Sequence, residues 1–453
     1  SQVPCDFLEG LSLSGQIECG EITVPENHDD PNARQIQICY AIIRTTSGEV
    51  NYPVIHLSGG PGGRQLSMNN IEYWSNHPFR ENRDIILFDQ RGIGFSWGLP
   101  SIEAEHIELI AADANEEQEY ARIQELLTTY QQICQEKGIR LEHYNSFQNA
   151  RDVGVLMQQL GYDRYSIYSS SYGTRLGRIV IEMFPEYLHA VIFNSPNPLE
   201  GDMLIDRLHS YSLALERLFD FCAEDDDCQN EYPDLKNIYL QAMAMIDENP
   251  IEFAFDGKPF AINAQDAVYL LRRKLYAADS RTTAPPLIME LKTGGGPTLR
   301  QVIAQENNFA SFLNFSMWLS VERYEMFNPT ITDEEIDSVY RTLPLLPARL
   351  GFFDAMYRSM EDWHDATMPD DDKKFKPSTV PSLITVNQYD PVTPPENGWI
   401  FKRDLINSHL FILDEGGHGG GNFECKAEVM ISFLDKPLDE LDPGCLNIYH
   451  DNK

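Results

Sequence analysis

Short apolar runs, each closed by Gly, Pro, Asn or Asp, divide the first part of the chain into strands. Residues 16–25 and 35–44 alternate apolar and polar positions and read as an antiparallel pair. Residues 53–57, 84–89, 165–169 and 190–194 are short runs in which apolar residues predominate and read as further strands. Between them lie a polar, helix-rich stretch over 111–138 and a helical pattern over 149–160 that stops at Gly161. Alternation of strand and helix predicts a largely parallel sheet. After Ser195-Pro196-Asn197-Pro198 the alternation ends, and residues 200–378 carry mainly helical periodicity with one hairpin signal at Asp256-Gly257. Strands resume at 382–386 and 409–413. The expected organisation is an α/β core over 1–199, a mainly helical cap over 200–378, and a second core part with a C-terminal tail over 379–453. The cap is expected over the carboxyl edge of the sheet, where open α/β sheets bind ligands.

The strand at 165–169 runs into Ser169-Ser170-Ser171-Tyr172-Gly173-Thr174 and then a helix. A sharp strand-to-helix turn of this kind pushes a serine hydroxyl out at the top of a sheet. It also crowds the positions two before and two after the nucleophile, so both must be small. Ser170 would be flanked by Tyr168 and Tyr172, and Ser169 would be preceded by Ile167; only Ser171, between Ser169 and Gly173, satisfies the sterics. Ser169 stands where Gly is usual.

Two later segments supply partners. Asp390 follows the strand at 382–386 and precedes Pro391, Pro394 and Pro395, which stiffen its loop. His418 follows the strand at 409–413 inside Gly416-Gly417-His418-Gly419-Gly420-Gly421, where glycines let the imidazole loop approach other backbone closely. The order Ser171, Asp390, His418 is that of the α/β-hydrolase triad and of neither chymotrypsin nor subtilisin. Upstream, Ser58-Gly59-Gly60-Pro61-Gly62-Gly63 follows a strand and is suited to present an N–H to a tetrahedral oxyanion, from Gly59 or Gly60, with the N–H of Tyr172 as second donor. The same glycines match neither phosphate-binding pattern.

Taken together, Ser58 to Gly63, Asp89-Gln90-Arg91-Gly92-Ile93-Gly94-Phe95-Ser96, Ser171 to Thr174 and Asp390 to Pro395 resemble the prolyl aminopeptidase and tripeptidyl aminopeptidase family of serine hydrolases. The resemblance extends to Ile17-Glu18-Cys19-Gly20-Glu21-Ile22-Thr23-Val24-Pro25 and to the tail ending Pro443-Gly444-Cys445, and is weaker through the middle third. It implies an α/β-hydrolase fold, a mostly parallel sheet with an inserted mainly helical cap. It implies a serine exopeptidase that releases a proline-type single residue or a tripeptide, through an acyl-enzyme on Ser171 with His418 as base and Asp390 orienting it. It also implies a cap carboxylate for the substrate's α-ammonium. In Leu319-Ser320-Val321-Glu322-Arg323-Tyr324-Glu325-Met326-Phe327 the prolyl register places Glu322 there, and the tripeptidyl register places Glu325. The alternative for both acids is a solvated face of an amphipathic helix.

Other residues are expected to be structural. Asp89 and Arg91 brace the loop beside the oxyanion strand, His56 is a strand residue, His364 is at the surface, and Asp370-Asp371-Asp372 is solvated.

Composition narrows the partners. With 70 acidic against 35 basic residues the formal charge is −35, which disfavours nucleic acid and anionic membranes and attracts a peptide's free amino terminus. No apolar run approaches the ~18 residues of a spanning helix. The mechanism requires no metal and no organic cofactor. Eight cysteines suit the disulfide framework of an exported protein, although spacing alone allows 105 arrangements. Cys222 and Cys228 bracket a turn, Cys425 with Cys445 and Cys5 with Cys19 would close the two tails, and Cys39 and Cys134 either pair or stay free. The start at Ser1 is expected for a chain whose signal peptide has been removed, giving a secreted or periplasmic protein. Two other readings remain: an esterase or lipase-like hydrolase with the same triad, and a non-catalytic binding module on this fold.

Overall fold

The computed structural model describes residues 5, 16–47, 50–101 and 103–450. In chain order its strands are β1 (Ile17–Pro25), β2 (Gln35–Ile43), β3 (Val54–Leu57), β4 (Ile85–Phe88), β5 (Tyr165–Ser170), β6 (Leu188–Asn194), β7 (Ile251–Phe255), β8 (Lys258–Ile262), β9 (Ser382–Asn387) and β10 (Ser408–Leu413). Eight form one sheet in the order β1-β2-β4-β3-β5-β6-β9-β10. The expected N-terminal pair is antiparallel, with Ile17 opposite Ile43, and β2 is antiparallel to β4; from β4 to β10 every pairing is parallel.

Strand side chains alternate between two apolar layers, which is why the central strands are rich in apolar residues at successive positions. Ile86 and Phe88 of β4 join Ile55, Ile167 and Val191 beneath the helices Ser146–Gln159 and Tyr172–Met183. Ile85 and Leu87 join Val54, Ile192 and Leu383 against Ile71, Trp74, Val429 and Phe433 on the other face.

Residues 203–359 hold the helices Met203–Glu224, Ala264–Lys274, Pro297–Phe312, Phe315–Glu325 and Gly351–Ser359 among others, together with the β7–β8 hairpin. The hairpin turns at Asp256 and Gly257, both with positive φ (52° and 75°), as its sequence predicts. Leu208, Leu215, Leu271, Ile303 and Met317 of this helical block belong to the same apolar cluster as one face of the sheet. The helices Glu103–Ala111 and Glu116–Glu136, although they precede β5 in sequence, pack against Pro297–Phe312 and Gly351–Ser359 respectively. A buried His106–Glu306 contact of 2.8 Å ties the first of these down.

Disulfides join Cys5–Cys19, Cys222–Cys228 and Cys425–Cys445, whereas Cys39 and Cys134 are unpaired. No helix among the described residues is long and apolar enough to cross a membrane.

Candidate active site

Four loops at the carboxyl ends of parallel strands meet at one cavity. After β5, Ser171 adopts φ 55° and ψ −128°, a conformation strained for any residue but glycine, and the helix Tyr172–Met183 begins at the next residue. The steric argument for Ser171 is visible in the contacts. A Cβ on Gly173 would stand 2.0 Å from the Leu57 carbonyl oxygen. On the other side, Ser169 is buried with its hydroxyl donated to the Ile192 carbonyl at 2.7 Å.

The loop after β3 comes close to the serine, since a Cβ on Gly59 would lie 2.9 Å from Ser171 Cβ and 3.4 Å from its Oγ. Gly59 and Gly60 line the cavity with Ser171. As the first residue of its helix, Tyr172 has an N–H with no intrahelical acceptor. The glycine loop is held from behind. Asp89, fully buried, accepts the N–H groups of Gln65 (2.8 Å), Leu66 (3.0 Å) and Phe95 (2.9 Å). Arg91 makes a bidentate pair with Asp152, at 2.7 Å for both bonds. Buried His56 faces Gln65 Oε1 at 2.5 Å, and burial lowers its pKa to about 4.

Asp390 follows β9 and is fully buried. Its Oδ1 accepts the N–H groups of Val392 (2.8 Å) and Thr393 (2.9 Å), and its Oδ2 accepts the Thr393 hydroxyl (2.8 Å) and lies 2.8 Å from His418 Nδ1. Burial alone would raise the carboxyl pKa. His418 and these hydrogen bonds outweigh it and hold Asp390 below its ordinary value. A buried carboxylate that stays ionised favours the proton on Nδ1 and leaves the Nε2 lone pair facing away from Asp390.

The glycines around His418 allow the close approach expected of them. Gly416 and Gly417 donate to the carbonyls of Ala278 (3.1 Å) and Ala277 (2.9 Å), where a Cβ on Gly417 would lie 1.9 Å from the Leu275 oxygen. The helical block thereby positions the imidazole. His418 and Ser171 line the same cavity, and among the described residues neither Ser171 Oγ nor His418 Nε2 has a hydrogen-bond partner.

The two candidate amine ligands lie on the helix Phe315–Glu325 and differ in what they face. Glu325, fully buried, accepts the Ser146 N–H (2.7 Å) and hydroxyl (2.9 Å) and pairs with Arg175 (3.0 Å). Burial raises its pKa. Glu322 is 2% exposed, pairs with the same Arg175 nitrogen at 3.2 Å, and lines the cavity that holds Ser171. A second cavity, sharing Asn197, Arg207, Glu322 and Val392 with the first, adds Glu200, Asp206 and Glu396 around the same carboxylate.

His364, expected at the surface, is instead half-buried with Nε2 3.2 Å from the Ser320 carbonyl, because it packs on the Phe315–Glu325 helix. Asp370, Asp371 and Asp372 are exposed. Residues without a sequence signal also reach the cavity: Arg207, Arg273 and Tyr276, the last with its ring 5.2 Å from that of His418. They sit in ordinary helical periodicity, and only packing brings them here. Thr393 lay inside a motif already singled out, but its role as a donor to Asp390 depends on the folded loop.

A family model described as alpha/beta hydrolase fold matches residues 52–420. A tripeptidyl aminopeptidase of Streptomyces lividans is 29% identical over 201 residues, covering 42% of this chain and 37% of that protein. The aligned part thus spans little more than a third of that relative's length. Serine protease Hip1 of Mycobacterium tuberculosis is 22% identical over 88% of this chain and 81% of its own. Among solved structures, a proline iminopeptidase of Mycobacterium smegmatis aligns over 92% of this chain and 98% of its own, with 14% identity and a TM-score of 0.40.

Proposed function

This chain belongs to the alpha/beta hydrolase fold family, and on that premise we propose that it is a serine exopeptidase releasing one or several residues from the free amino end of peptides. The observation that carries the reading is a carboxylate, Glu322, buried at 2% exposure yet facing the cavity that Ser171 and His418 line. Glu322 already pairs with Arg175 at 3.2 Å, and on its cavity side an α-ammonium would add further charge-assisted hydrogen bonds, a contact that a simple acyl ester could not make.

In the proposed cycle, His418 Nε2 takes the Ser171 proton while Asp390 stabilises the imidazolium that forms. The Ser171 oxygen attacks the carbonyl of the scissile bond. The resulting oxyanion is held by the N–H groups of Tyr172 and of Gly59 or Gly60. His418 then protonates the departing amine, and water, deprotonated by His418, releases the acyl group from Ser171. Glu322 aligns the substrate through its amine, which makes cleavage dependent on a free terminus. The named activities of the Streptomyces and Mycobacterium relatives agree with this reading. Three disulfides favour an oxidising compartment outside the cytoplasm.

The test compares aminoacyl and tripeptidyl arylamides with their N-acetylated forms and with short acyl esters. The expected result is hydrolysis that depends on the free amine and is lost, on the order of 10⁶-fold in kcat, in Ser171→Ala. Equal rates on acetylated and free-amine substrates would overturn the exopeptidase reading, and hydrolysis confined to the short acyl esters would favour the esterase reading. Full activity in Ser171→Ala would remove Ser171 as nucleophile.

A further inference from the structure

The lining of the cavity that holds Ser171 also carries a charge arrangement that the acyl chemistry does not use. Arg207 on the helix Met203–Glu224 and Arg273 on the helix Ala264–Lys274 both line it, beside Tyr276. Arg272, fully buried, stands behind them and donates to the Tyr276 hydroxyl at 3.3 Å.

The donors in this cluster outnumber their acceptors. Among the described residues, Arg207 donates only to the Met203 sulfur, at 3.5 Å, and its buried Nε has no partner. Arg272 leaves Nε and Nη2 without partners. Arg273 bonds Glu306 through Nε at 2.5 Å and leaves Nη1 without one. Of the acids bonded to these arginines or lining this cavity, Glu306 also holds His106 and Tyr269, and Glu322 pairs with Arg175, not with the cluster.

Aromatic rings take the faces of the guanidinium groups. Phe353 lies 4.2 Å from Arg207 and 5.2 Å from Arg272, and Phe309 lies 3.8 Å from Arg273. Stacking leaves the in-plane N–H edges open, and those edges match a carboxylate. Unsatisfied guanidinium donors in an interior are costly, and a bound anion relieves that cost. This concentration of positive charge is also set in a chain with a formal charge of −35. General solubility therefore does not account for it.

We propose that Arg207, Arg273 and Tyr276, backed by Arg272, form an anion subsite in the substrate cavity that takes a carboxylate of the peptide. The proposal deepens the exopeptidase reading and rests on it. The substrate would offer its amine to Glu322 and a carboxylate to the arginines, with Phe309, Phe312 and Trp318 against the intervening apolar groups. The carboxylate has two sources: an acidic side chain near the amino terminus, or the C-terminus of a short peptide.

The test measures binding rather than turnover, so that it stands apart from the hydrolysis assay. Calorimetry on the Ser171→Ala protein would use Glu-Ala-Ala-amide, Ala-Glu-Ala-amide and Ala-Ala-Glu-amide against their Gln counterparts, and Ala-Ala-Ala as free acid against its amide. At least one carboxylate-bearing probe should bind about tenfold to a hundredfold more tightly than its neutral partner, and the pair that responds identifies the source. Adding Arg207→Gln should abolish that ratio while affinity for the neutral peptide persists. Arg207→Lys, which keeps the charge, should restore part of it. Equal affinities for every acid and neutral pair, no binding by any probe, or a ratio that survives Arg207→Gln would overturn the proposal. If the native protein fails to hydrolyse peptides but the ratio is found, the subsite stands and the catalytic reading falls.

Discussion

Replacing Asp390 by Asn tests the proposed proton relay at the point where the structure constrains it most. The side chain is held from four directions: Oδ1 accepts two backbone N–H groups, from Val392 and Thr393, and Oδ2 faces the Thr393 hydroxyl and His418 Nδ1. An asparagine must therefore keep its oxygen at the Oδ1 position, because the reversed amide would set its NH₂ against two N–H donors. The NH₂ then points at His418 Nδ1 and makes that nitrogen an acceptor. The proton moves to Nε2, and the imidazole can no longer accept the Ser171 proton. Loss of the charge also removes the stabilisation of the imidazolium. A wrong-tautomer substitution of this kind lowers kcat by about 10⁴, about 5.4 kcal/mol of transition-state stabilisation. The Thr393 hydroxyl can rotate to accept from the new amide, so folding should survive. The assay is kcat on a free-amine arylamide, with the rate of fluorophosphonate labelling of Ser171 read in parallel and thermal unfolding as the control for fold. A variant that folds and keeps more than about a tenth of its kcat would refute the assignment of Asp390 and His418 to the relay.

Gly173→Ala should destabilise the protein by about 3 kcal/mol or more and impair turnover, since its Cβ would lie 2.0 Å from the Leu57 oxygen and 2.8 Å from that of Ser58; unchanged urea denaturation and unchanged kcat would contradict the described turn. Glu119, buried beside Asp354 and Glu116, has its pKa raised by burial first and by those two acids next, to about 8. The folded state therefore holds the proton more tightly than the unfolded chain. The stability this contributes is fully present below the unfolded value of about 4.3 and is lost as pH rises through about 8, with a slope of up to about 1.4 kcal/mol per pH unit. In Glu119→Gln the fall in unfolding free energy between pH 5 and 8.5 should be shallower than in the native protein, and identical slopes would show that Glu119 ionises normally.

The sheet and the sharp turn at Ser171 were legible in the sequence because both are governed by short-range sterics. The strands β3, β4, β6 and β9 are buried almost throughout, so burial is written there as clustered apolar residues, and the turn at Ser171 tolerates only small residues at 169 and 173. Asp390 and His418 were legible for a related reason, as each follows a strand within a loop whose prolines or glycines are needed locally. What the cavity looks like was settled only by packing. Glu322 and Glu325 are three positions apart on one helix and look alike in sequence; Arg175, brought in from another element, pairs with both, while Ser146 binds only the second and the first lines the cavity. Arg207, Arg273 and Tyr276 reach that cavity from other parts of the helical block, and a helical period records that a face is buried without recording what it is buried against. Local backbone demands are spelled out over a handful of residues, whereas the meeting of distant side chains is decided by how whole helices pack on the sheet.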